Sequence, residues 1–370
     1  MPAEFPFMVR KAAVLGAGVM GAQIAAQLVN ANVPVVLFEL PAKDGDPNAT
    51  VHKAIGHLGK IEPAPLATAG KAACIEAANY DGDLDLLQSC DLVIEAISER
   101  MDWKTALYEK IVPHLGERTI FASNTSGLSI NQLSQALPEN MRARFCGVHF
   151  FNPPRYMHLV ELIADSGTDA SILDALEKFL VTTLGKGVVR AKDTPNFNAN
   201  RVGVFAMLAA VHHAQQFGLG FDEVDAITGP SIGRPKSATF RTADVVGLDT
   251  FAHVVNTMKD TLPDDPWHRY YMVPAWLQGL IDQGALGQKT RRGVYQKVDS
   301  EIRVLDLGQN DYRPASGAAD DAVAAMLKNG NAAERFAQLR ASDRPQAQFL
   351  WAVFRDTFHY CAVHLAQIAD

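Results

Sequence analysis

The 370-residue sequence contains no apolar run as long as the roughly 18 residues that a membrane-spanning helix needs. It also lacks a basic excess, because 34 Lys and Arg stand against 41 Asp and Glu, a net charge of −7, without a long basic cluster. Nucleic-acid surfaces need clustered cations. We therefore expect neither a membrane nor a nucleic acid as a partner.

Cysteine is scarce as well. The four cysteines are widely spaced and form no CxxC pair, which is typical of reduced thiols in a cytosolic protein. The first seven residues lack the charged-then-apolar layout of a secretory signal. Adjacent His212 and His213 point in different directions on a helix, and no HExxH motif accompanies them, so we expect no metal site. These features together predict a cytoplasmic protein.

A glycine-rich turn follows the first apolar segment, Ala12–Leu15. Gly16, Gly18 and Gly21 form a G-x-G-x-x-G pattern around Val19 and Met20, and an Ala-rich helical pattern comes next. Gly16 permits the tight turn, Gly18 lets a pyrophosphate approach the backbone, and Gly21 lets the helix pack on the strand. The helix N-terminus then faces the phosphates. The pattern predicts a dinucleotide site.

An acidic residue strengthens this interpretation. The next apolar segment, Val33–Phe38, ends at Glu39, 18 residues after Gly21. A carboxylate at this spacing accepts hydrogen bonds from the adenosine ribose and repels a 2′-phosphate, so the sequence favours NAD over NADP. The alternative is a structural turn followed by a surface acid.

Further apolar segments alternate with helical patterns at Asp91–Ala96 and Thr119–Ala122. This alternation predicts a parallel sheet covered on both faces. Ligands bind beyond the carboxyl ends of such strands, so Glu99, Lys104 and Ser126 are candidate site residues. For Ser126 the alternative is a turn or helix N-cap.

The strongest candidate for catalysis is His149, which follows the apolar segment Cys146–Val148. Glu161 lies within a second apolar run, where a lone carboxylate is costly unless it is paired. A pair of these two residues would orient the imidazole as a general base. The alternatives are a structural histidine bonded to backbone and an edge-strand acid that faces water.

Six segments, in the same order, resemble those of the L-3-hydroxyacyl-CoA dehydrogenases of fatty-acid β-oxidation. The resemblance covers roughly residues 9–298 and is greatest to bacterial multifunctional proteins in which this portion is joined to an enoyl-CoA hydratase. The segments are Gly16–Gly21, Asp91–Ala96, Ala122–Ser126, His149–Pro153, Lys192–Pro195 and Asn200–Arg201.

The resemblance implies an NAD-dependent oxidation of (S)-3-hydroxyacyl-CoA, with a homodimer and a fused hydratase portion as partners. It matches His149 to the catalytic histidine and Glu161 to its carboxylate partner. Ser126 and Asn200 match residues that bind the reacting oxygen of the substrate, although Asn200 taken alone reads as a surface helix residue. The positions that it matches to dinucleotide contacts are Glu39, Glu99, Lys104, Ser126, Asn152 and Lys289.

The sequence departs from this family at several places. Arg291 and Asn196 stand where the family commonly has glycine, and Gly45–Asn48 looks like an insertion after the ribose acid. The Arg291 departure falls within the turn that carries the matched Lys289 contact. The insertion blurs the alignment of the CoA-binding helix. Lys53 and Lys60 are candidate contacts for CoA phosphates, with solvated surface lysines as the alternative.

The domain prediction is a Rossmann-type doubly wound α/β sheet over residues 1–192, followed by an all-α substrate and dimerisation domain over residues 193–298. Residues 299–345 are polar and predict a linker with one or two helices. Residues 346–370 suggest the start of a second copy of the helical domain, since Ala362–Gln367 repeats Ala210–Gln215 at five of six positions. We expect its apolar face to fold back on the first copy, dimerise or fray.

Three functions remain open from the sequence. The first is the 3-hydroxyacyl-CoA dehydrogenase, and the second is another NAD-dependent β-hydroxyacid dehydrogenase that acts on a free acid. A catalytic lysine in the helical domain would favour the second. The third is a dinucleotide-binding scaffold segment without activity.

Overall fold

The computed structural model describes residues 8–370. The chain divides into two compact units, one comprising the described residues up to Asn198 together with Ala366–Asp370, the other Ala199–Leu365. The predicted boundary after residue 192 lies six residues earlier than the observed one. The difference arises because the loop after the last strand stays bound to the first unit, where the Asn198 N–H donates to Glu161 Oε1 at 2.9 Å.

The first unit alternates strands and helices. Its strands are β1 (Ala12–Leu15), β2 (Val35–Glu39), β3 (Ile75–Asn79), β4 (Leu92–Glu95), β5 (Ile120–Ser123), β6 (Phe145–Phe150), β7 (Leu159–Ala164) and β8 (Gly187–Ala191). Its helices are α1 (Val19–Asn30), α2 (Ala49–Leu58), α3 (Met101–Ile111), α4 (Ile130–Ser134), α5 (Glu139–Arg142) and α6 (Ala170–Thr182).

The eight strands form one sheet in the order β3-β2-β1-β4-β5-β6-β7-β8. Every neighbouring pair is parallel except β6 and β7, which are antiparallel. The central strands are buried along their whole length, as expected when helices cover both faces. The predicted Rossmann-type sheet is confirmed, and it brings the ends of β1, β4 and β5 to one edge.

The second unit is mainly helical. Its helices are α7 (Ala199–Gln216), α8 (Phe221–Ile227), α9 (Phe240–Val246), α10 (Leu248–Thr261), α11 (Ala275–Asp282), α12 (Asp321–Leu327), α13 (Ala332–Ala341) and α14 (Pro345–Ile368), the last of which ends in the first unit. A three-stranded antiparallel sheet consists of β9 (Tyr295–Val298), β10 (Glu301–Asp306) and β11 (Asp311–Pro314).

The segment predicted as a linker, residues 299–345, differs from that expectation. One or two helices were predicted in it, and it contains α12 and α13 but also β10 and β11. Val304, Val323 and Leu339 from this segment are buried in the hydrophobic core of the second unit. The segment is polar because these elements expose one side, so its composition resembles that of a linker although it contributes to the core.

The C-terminal helix α14 packs on α7, the helix whose sequence it partly repeats. The rings of Phe205 and Tyr360 stack with centroids 3.9 Å apart. Within this chain, α14 therefore folds back on α7, while the interpretation of the segment as the start of a second copy stays a prediction. Within residues 8–370, no helix combines the length and apolar character needed to cross a bilayer.

Candidate functional site

The glycine turn after β1 has the geometry predicted for a dinucleotide cradle. Gly16 has φ +102°, and a Cβ there would lie 2.9 Å from Ala96 O. A Cβ on Gly21 would lie 1.8 Å from Gly16 O, so only glycine allows this contact. At Gly18, by contrast, a Cβ would meet nothing within 4 Å. Gly18 thus leaves open space on the outer side of the turn, where a phosphate can approach.

The acid at the end of β2 faces this turn. Glu39 Oε2 accepts from the Ala17 N–H and Oε1 from the Leu40 N–H, both at 2.9 Å. These bonds hold the carboxylate in place and leave further lone pairs for ribose hydroxyls. A cleft of about 400 Å³ opens beside it. It is lined by Gly16, Gly18, Glu39, Leu40, Tyr80, Ala96, Ile97, Ser98, Trp103, Ala106, Leu107 and Lys110.

Helix α1 begins directly at the turn, with Gly18 as its N-cap and no side-chain cap. Val19 is exposed and Met20 is half-buried. The uncapped N–H groups and the positive end of the helix dipole are therefore available to an anion. With the open approach at Gly18 and the carboxylate of Glu39, the residues present fit a dinucleotide.

Glu99 organises the loop that carries Ser126. Its Oε1 accepts from the Ser126 N–H at 2.7 Å, the Gly127 N–H at 2.9 Å and the Ser126 hydroxyl at 3.3 Å. Burial raises the pKa of Glu99, but the charge of Lys104 and the hydrogen bonds from the Thr125 hydroxyl and the Ser126 and Gly127 N–H groups outweigh burial, so its pKa lies below the ordinary value. The carboxylate is thus ionised at neutral pH and fixes Ser126 at the edge of the sheet.

Lys104, predicted to contact the dinucleotide, is fully buried. Its ammonium group binds Glu95 Oε1 and lies 3.6 Å from Glu99 Oε2. Glu95 Oε2 also accepts from Tyr108 and Ser123, at 2.9 and 2.7 Å. A buried cation needs such partners, because unpaired burial is costly. The structure thus places Lys104 behind Glu99, and its contact with the cofactor stays a prediction.

His149 and Glu161 face each other across β6 and β7. The antiparallel register pairs the two residues directly, and His149 Nδ1 lies 2.7 Å from Glu161 Oε2. Glu161 is fully buried and His149 is 5% exposed. An ionised Glu161 accepts the Nδ1 proton, which leaves the lone pair of the neutral ring on Nε2. The predicted contact is present, and it fixes the orientation of the imidazole.

Three neighbours hold this pair in place, and two of them, Phe197 and Asn198, were not indicated by the sequence. The Asn198 N–H donates to Glu161 Oε1 at 2.9 Å. The rings of Phe151 and Phe197 lie 4.4 and 5.9 Å from the His149 ring, centroid to centroid. Asn198 and Phe197 follow the strands in an irregular loop, so no periodic pattern could have identified them.

Asn152, the other dinucleotide candidate in this unit, is exposed, and its Oδ1 accepts from Gln23 Nε2 at 3.2 Å. Lys53 lies on α2 and Lys60 follows that helix, and both side chains are exposed. Their described contacts fit both interpretations of these lysines, either as contacts for CoA phosphates or as solvated surface residues.

Two predicted site residues belong to the second unit. Asn200 is half-buried in the first turn of α7. Lys289 is exposed, and its Nζ lies 2.7 Å from both carboxylate oxygens of Asp249. Arg291 has φ +59°, a left-handed conformation that glycine adopts more easily, which accounts for the glycine expected there.

Comparison with known proteins connects these features. Residues 11–194 match the family model for the 3-hydroxyacyl-CoA dehydrogenase NAD binding domain, and residues 197–297 match that for the C-terminal domain. A probable 3-hydroxyacyl-CoA dehydrogenase of Deinococcus radiodurans is 41% identical over 79% of this chain and 84% of its own length. This chain belongs to the 3-hydroxyacyl-CoA dehydrogenase family. The predicted cofactor, NAD, is confirmed by the match to the NAD binding domain.

Two further relatives differ in the share of their own length that matches this chain. A probable 3-hydroxyacyl-CoA dehydrogenase of Bacillus subtilis is 38% identical over 98% of this chain, which spans 48% of that relative. The crystal structure of an (S)-3-hydroxybutyryl-CoA dehydrogenase from Ralstonia eutropha has a TM-score of 0.66 and 29% identity, and covers 79% of this chain and 100% of its own. The chain thus spans about half the length of the Bacillus subtilis relative.

Proposed function

We propose that this chain catalyses the NAD-dependent oxidation of (S)-3-hydroxyacyl-CoA to 3-oxoacyl-CoA in fatty-acid oxidation. The observation that carries the proposal is the buried pair of His149 and Glu161, 2.7 Å apart at the strand ends. Family membership supports the substrate class. The similarity to the Ralstonia eutropha relative, an (S)-3-hydroxybutyryl-CoA dehydrogenase, supports the stereochemistry.

In this proposal His149 is the general base. Oxidation of a secondary alcohol requires the hydroxyl proton and the hydride on the same carbon to leave together. Nε2 of His149 takes the proton, and Glu161 stabilises the imidazolium that results. NAD, when bound, supplies the acceptor for the hydride. A positioned base of this kind contributes about 10²- to 10⁴-fold to the rate.

Ser126 and Asn200 are proposed to bind the oxygen that becomes the carbonyl. Hydrogen-bond donors there stabilise negative charge as the proton leaves. Glu99 supports this role of Ser126, because it accepts from the backbone and the hydroxyl of that residue. We assign Glu99 as a positioning residue for the loop. The assignment of Asn200 rests on the resemblance to the family.

We further propose that the protein is cytoplasmic, acts as a homodimer and is joined in its natural setting to an enoyl-CoA hydratase portion. Four free cysteines, two of them buried, support a reducing compartment. The fused portion is supported by the resemblance to bacterial multifunctional proteins.

The test is to follow NADH formation from (S)-3-hydroxybutyryl-CoA, with free 3-hydroxybutyrate and the (R)-thioester as matched controls. Turnover of the (S)-thioester alone supports the proposal. Turnover of the free acid would instead indicate a β-hydroxyacid dehydrogenase. If neither is oxidised, the chain by itself is a dinucleotide-binding scaffold.

A further inference from the structure

The loop between β8 and α7 contains a buried amide that lacks a partner. Asn196 is only 4% exposed, and within residues 8–370 its Nδ2 has no hydrogen-bond partner. Burying an amide donor without an acceptor forfeits the hydrogen bonds that water would provide. Such a group is retained at a cost in stability, unless a molecule absent from the chain itself supplies the acceptor.

The backbone at this position is also unfavourable. Asn196 has φ +61° and Phe197 has φ +52°, both in the left-handed region. Asparagine tolerates this region better than most residues, but two such residues in succession are uncommon. The conformation is held by the Phe197 N–H, which donates to Thr194 O at 2.8 Å, and by the Asn198 N–H on Glu161. Strain of this kind concentrates at functional sites.

The amide lies beside the loop that carries Ser126. Its Oδ1 is 3.9 Å from the position that a Cβ on Gly127 would occupy, beside the loop that carries Ser126. The next residue, Phe197, contacts the His149 ring. Asn196 therefore lies beside the loop that carries Ser126, and it directly precedes the residue whose ring contacts the proposed base.

We propose that the side-chain amide of Asn196 donates a hydrogen bond to a carbonyl oxygen of a bound ligand. This inference rests on the proposed function and deepens it, because both proposed ligands carry a neutral carbonyl beside their reacting atoms. One is the carboxamide of the nicotinamide ring and the other is the acyl thioester. A neutral amide suits a neutral carbonyl, since neither partner leaves an uncompensated charge in a buried place.

The test uses Asn196→Gly, which removes the amide and keeps a residue that accepts positive φ. Asn310→Gly is the matched control, because Asn310 also has positive φ, +52°, but is exposed in the second unit. Dissociation constants are measured for NADH and for acetoacetyl-CoA. ADP-ribose and free CoA serve as probes that lack the nicotinamide and the acyl thioester.

We expect Asn196→Gly to weaken the binding of NADH or of acetoacetyl-CoA roughly five- to tenfold, which is the effect of losing one neutral hydrogen bond. ADP-ribose and CoA should bind as to wild type, and the melting temperature should change no more than in Asn310→Gly. Loss confined to NADH assigns the carboxamide, and loss confined to acetoacetyl-CoA assigns the thioester.

Unchanged constants for both ligands would overturn the proposal, as would equal weakening of all four ligands, which would indicate a disturbed loop. Failure of the proposed function is seen separately, because it would appear as absent NADH formation by the wild-type protein.

Discussion

Two buried histidine–carboxylate pairs in this protein have the same nitrogen–oxygen distance but different surroundings. His149 Nδ1 lies 2.7 Å from Glu161, and His213 Nε2 lies 2.7 Å from Asp356. All four side chains are less than a tenth exposed. The second ring nitrogen distinguishes the pairs. His213 Nδ1 is 2.9 Å from Gln216 Oε1, whereas Nε2 of His149 has no hydrogen-bond partner in the described part of the chain.

The carboxylates and their positions differ as well. Asp356 also accepts from Arg355 at 2.7 Å and lies 3.4 Å from the Tyr270 hydroxyl, and it joins α14 to α7. Glu161 instead fixes a ring where strands end at the edge of a sheet. A buried histidine–carboxylate pair is thus no evidence of catalysis by itself. The second ring nitrogen of His149, and its position near the end of β6, are what support our proposal that His149 is the base. The contact of His213 with Asp356 instead joins two packed helices.

The largest expected effect is a loss of turnover when the histidine of the first pair is replaced. His149→Gln should lower kcat for (S)-3-hydroxybutyryl-CoA by about 10²- to 10⁴-fold, because the proton loses its acceptor. The melting temperature should stay within a few degrees of wild type. Steady-state NADH formation and a thermal melt check this. A folded variant with near-wild-type turnover would show that the pair is structural here too.

The equivalent substitution in the second unit, His213→Gln, should reduce stability and leave turnover nearly unchanged. His213→Gln should lower the free energy of unfolding by roughly 1–3 kcal/mol, because Asp356 loses its hydrogen bond across α7 and α14 and is left with Arg355 and Tyr270. The value of kcat should stay within about twofold. Chemical denaturation and the same turnover assay test this. A large fall in kcat without a loss of stability would contradict the division of roles.

Within the first unit, two glycines should separate binding from folding. In Gly18→Ala the added Cβ has no neighbouring atom within 4 Å, so the melting temperature should not change. The Cβ should obstruct the approach of the phosphates and weaken the binding of NADH about tenfold. Gly21→Ala should destabilise the fold, since its Cβ would overlap Gly16 O. Fluorescence titration and thermal melts distinguish the two. Unaltered NADH affinity in Gly18→Ala would exclude the proposed approach.

The smallest expected effect is a pH dependence in the second unit. Burial raises the pKa of Asp356, but Arg355 and His213 outweigh burial and hold it below the ordinary value of 3.8. Its stabilisation is therefore present above pH 3.8 and is lost as the pH falls through the folded-state pKa. Asp356→Asn should cost about 1 kcal/mol at neutral pH, and the difference from wild type should shrink below pH 4. A difference that grows with acidity would reverse the assigned sign.

Much of the first unit could be predicted, because its central strands are short apolar runs that stop at glycine or polar residues. β1 with its turn, β4 and β5 follow this pattern. The outer strands β3 and β8 were missed, since Glu76 and Arg190 interrupt them and neither strand is continuously apolar. β10 and β11 were not predicted for a related reason. One side of each strand is exposed, so their sequences have the polar composition of a linker.

The candidate site was predictable where a polar residue ends or interrupts an apolar strand pattern. Glu39, His149 and Glu161 depend on strand register, which periodicity reveals. Lys104 shows the limit, because a lysine in an amphipathic helix gives no sign in sequence that its ammonium group is buried between two carboxylates. Asn196 likewise depends on a left-handed loop, which no repeating pattern encodes.

The most direct test of the central claim is a double-mutant cycle on the first pair. Single-turnover hydride transfer is measured for His149→Gln, Glu161→Gln and the double variant, with bound NAD and (S)-3-hydroxybutyryl-CoA. If Glu161 acts through His149, the double variant should be about as slow as His149→Gln alone. Rate losses that multiply would contradict the account, because they would mean that the two residues contribute independently.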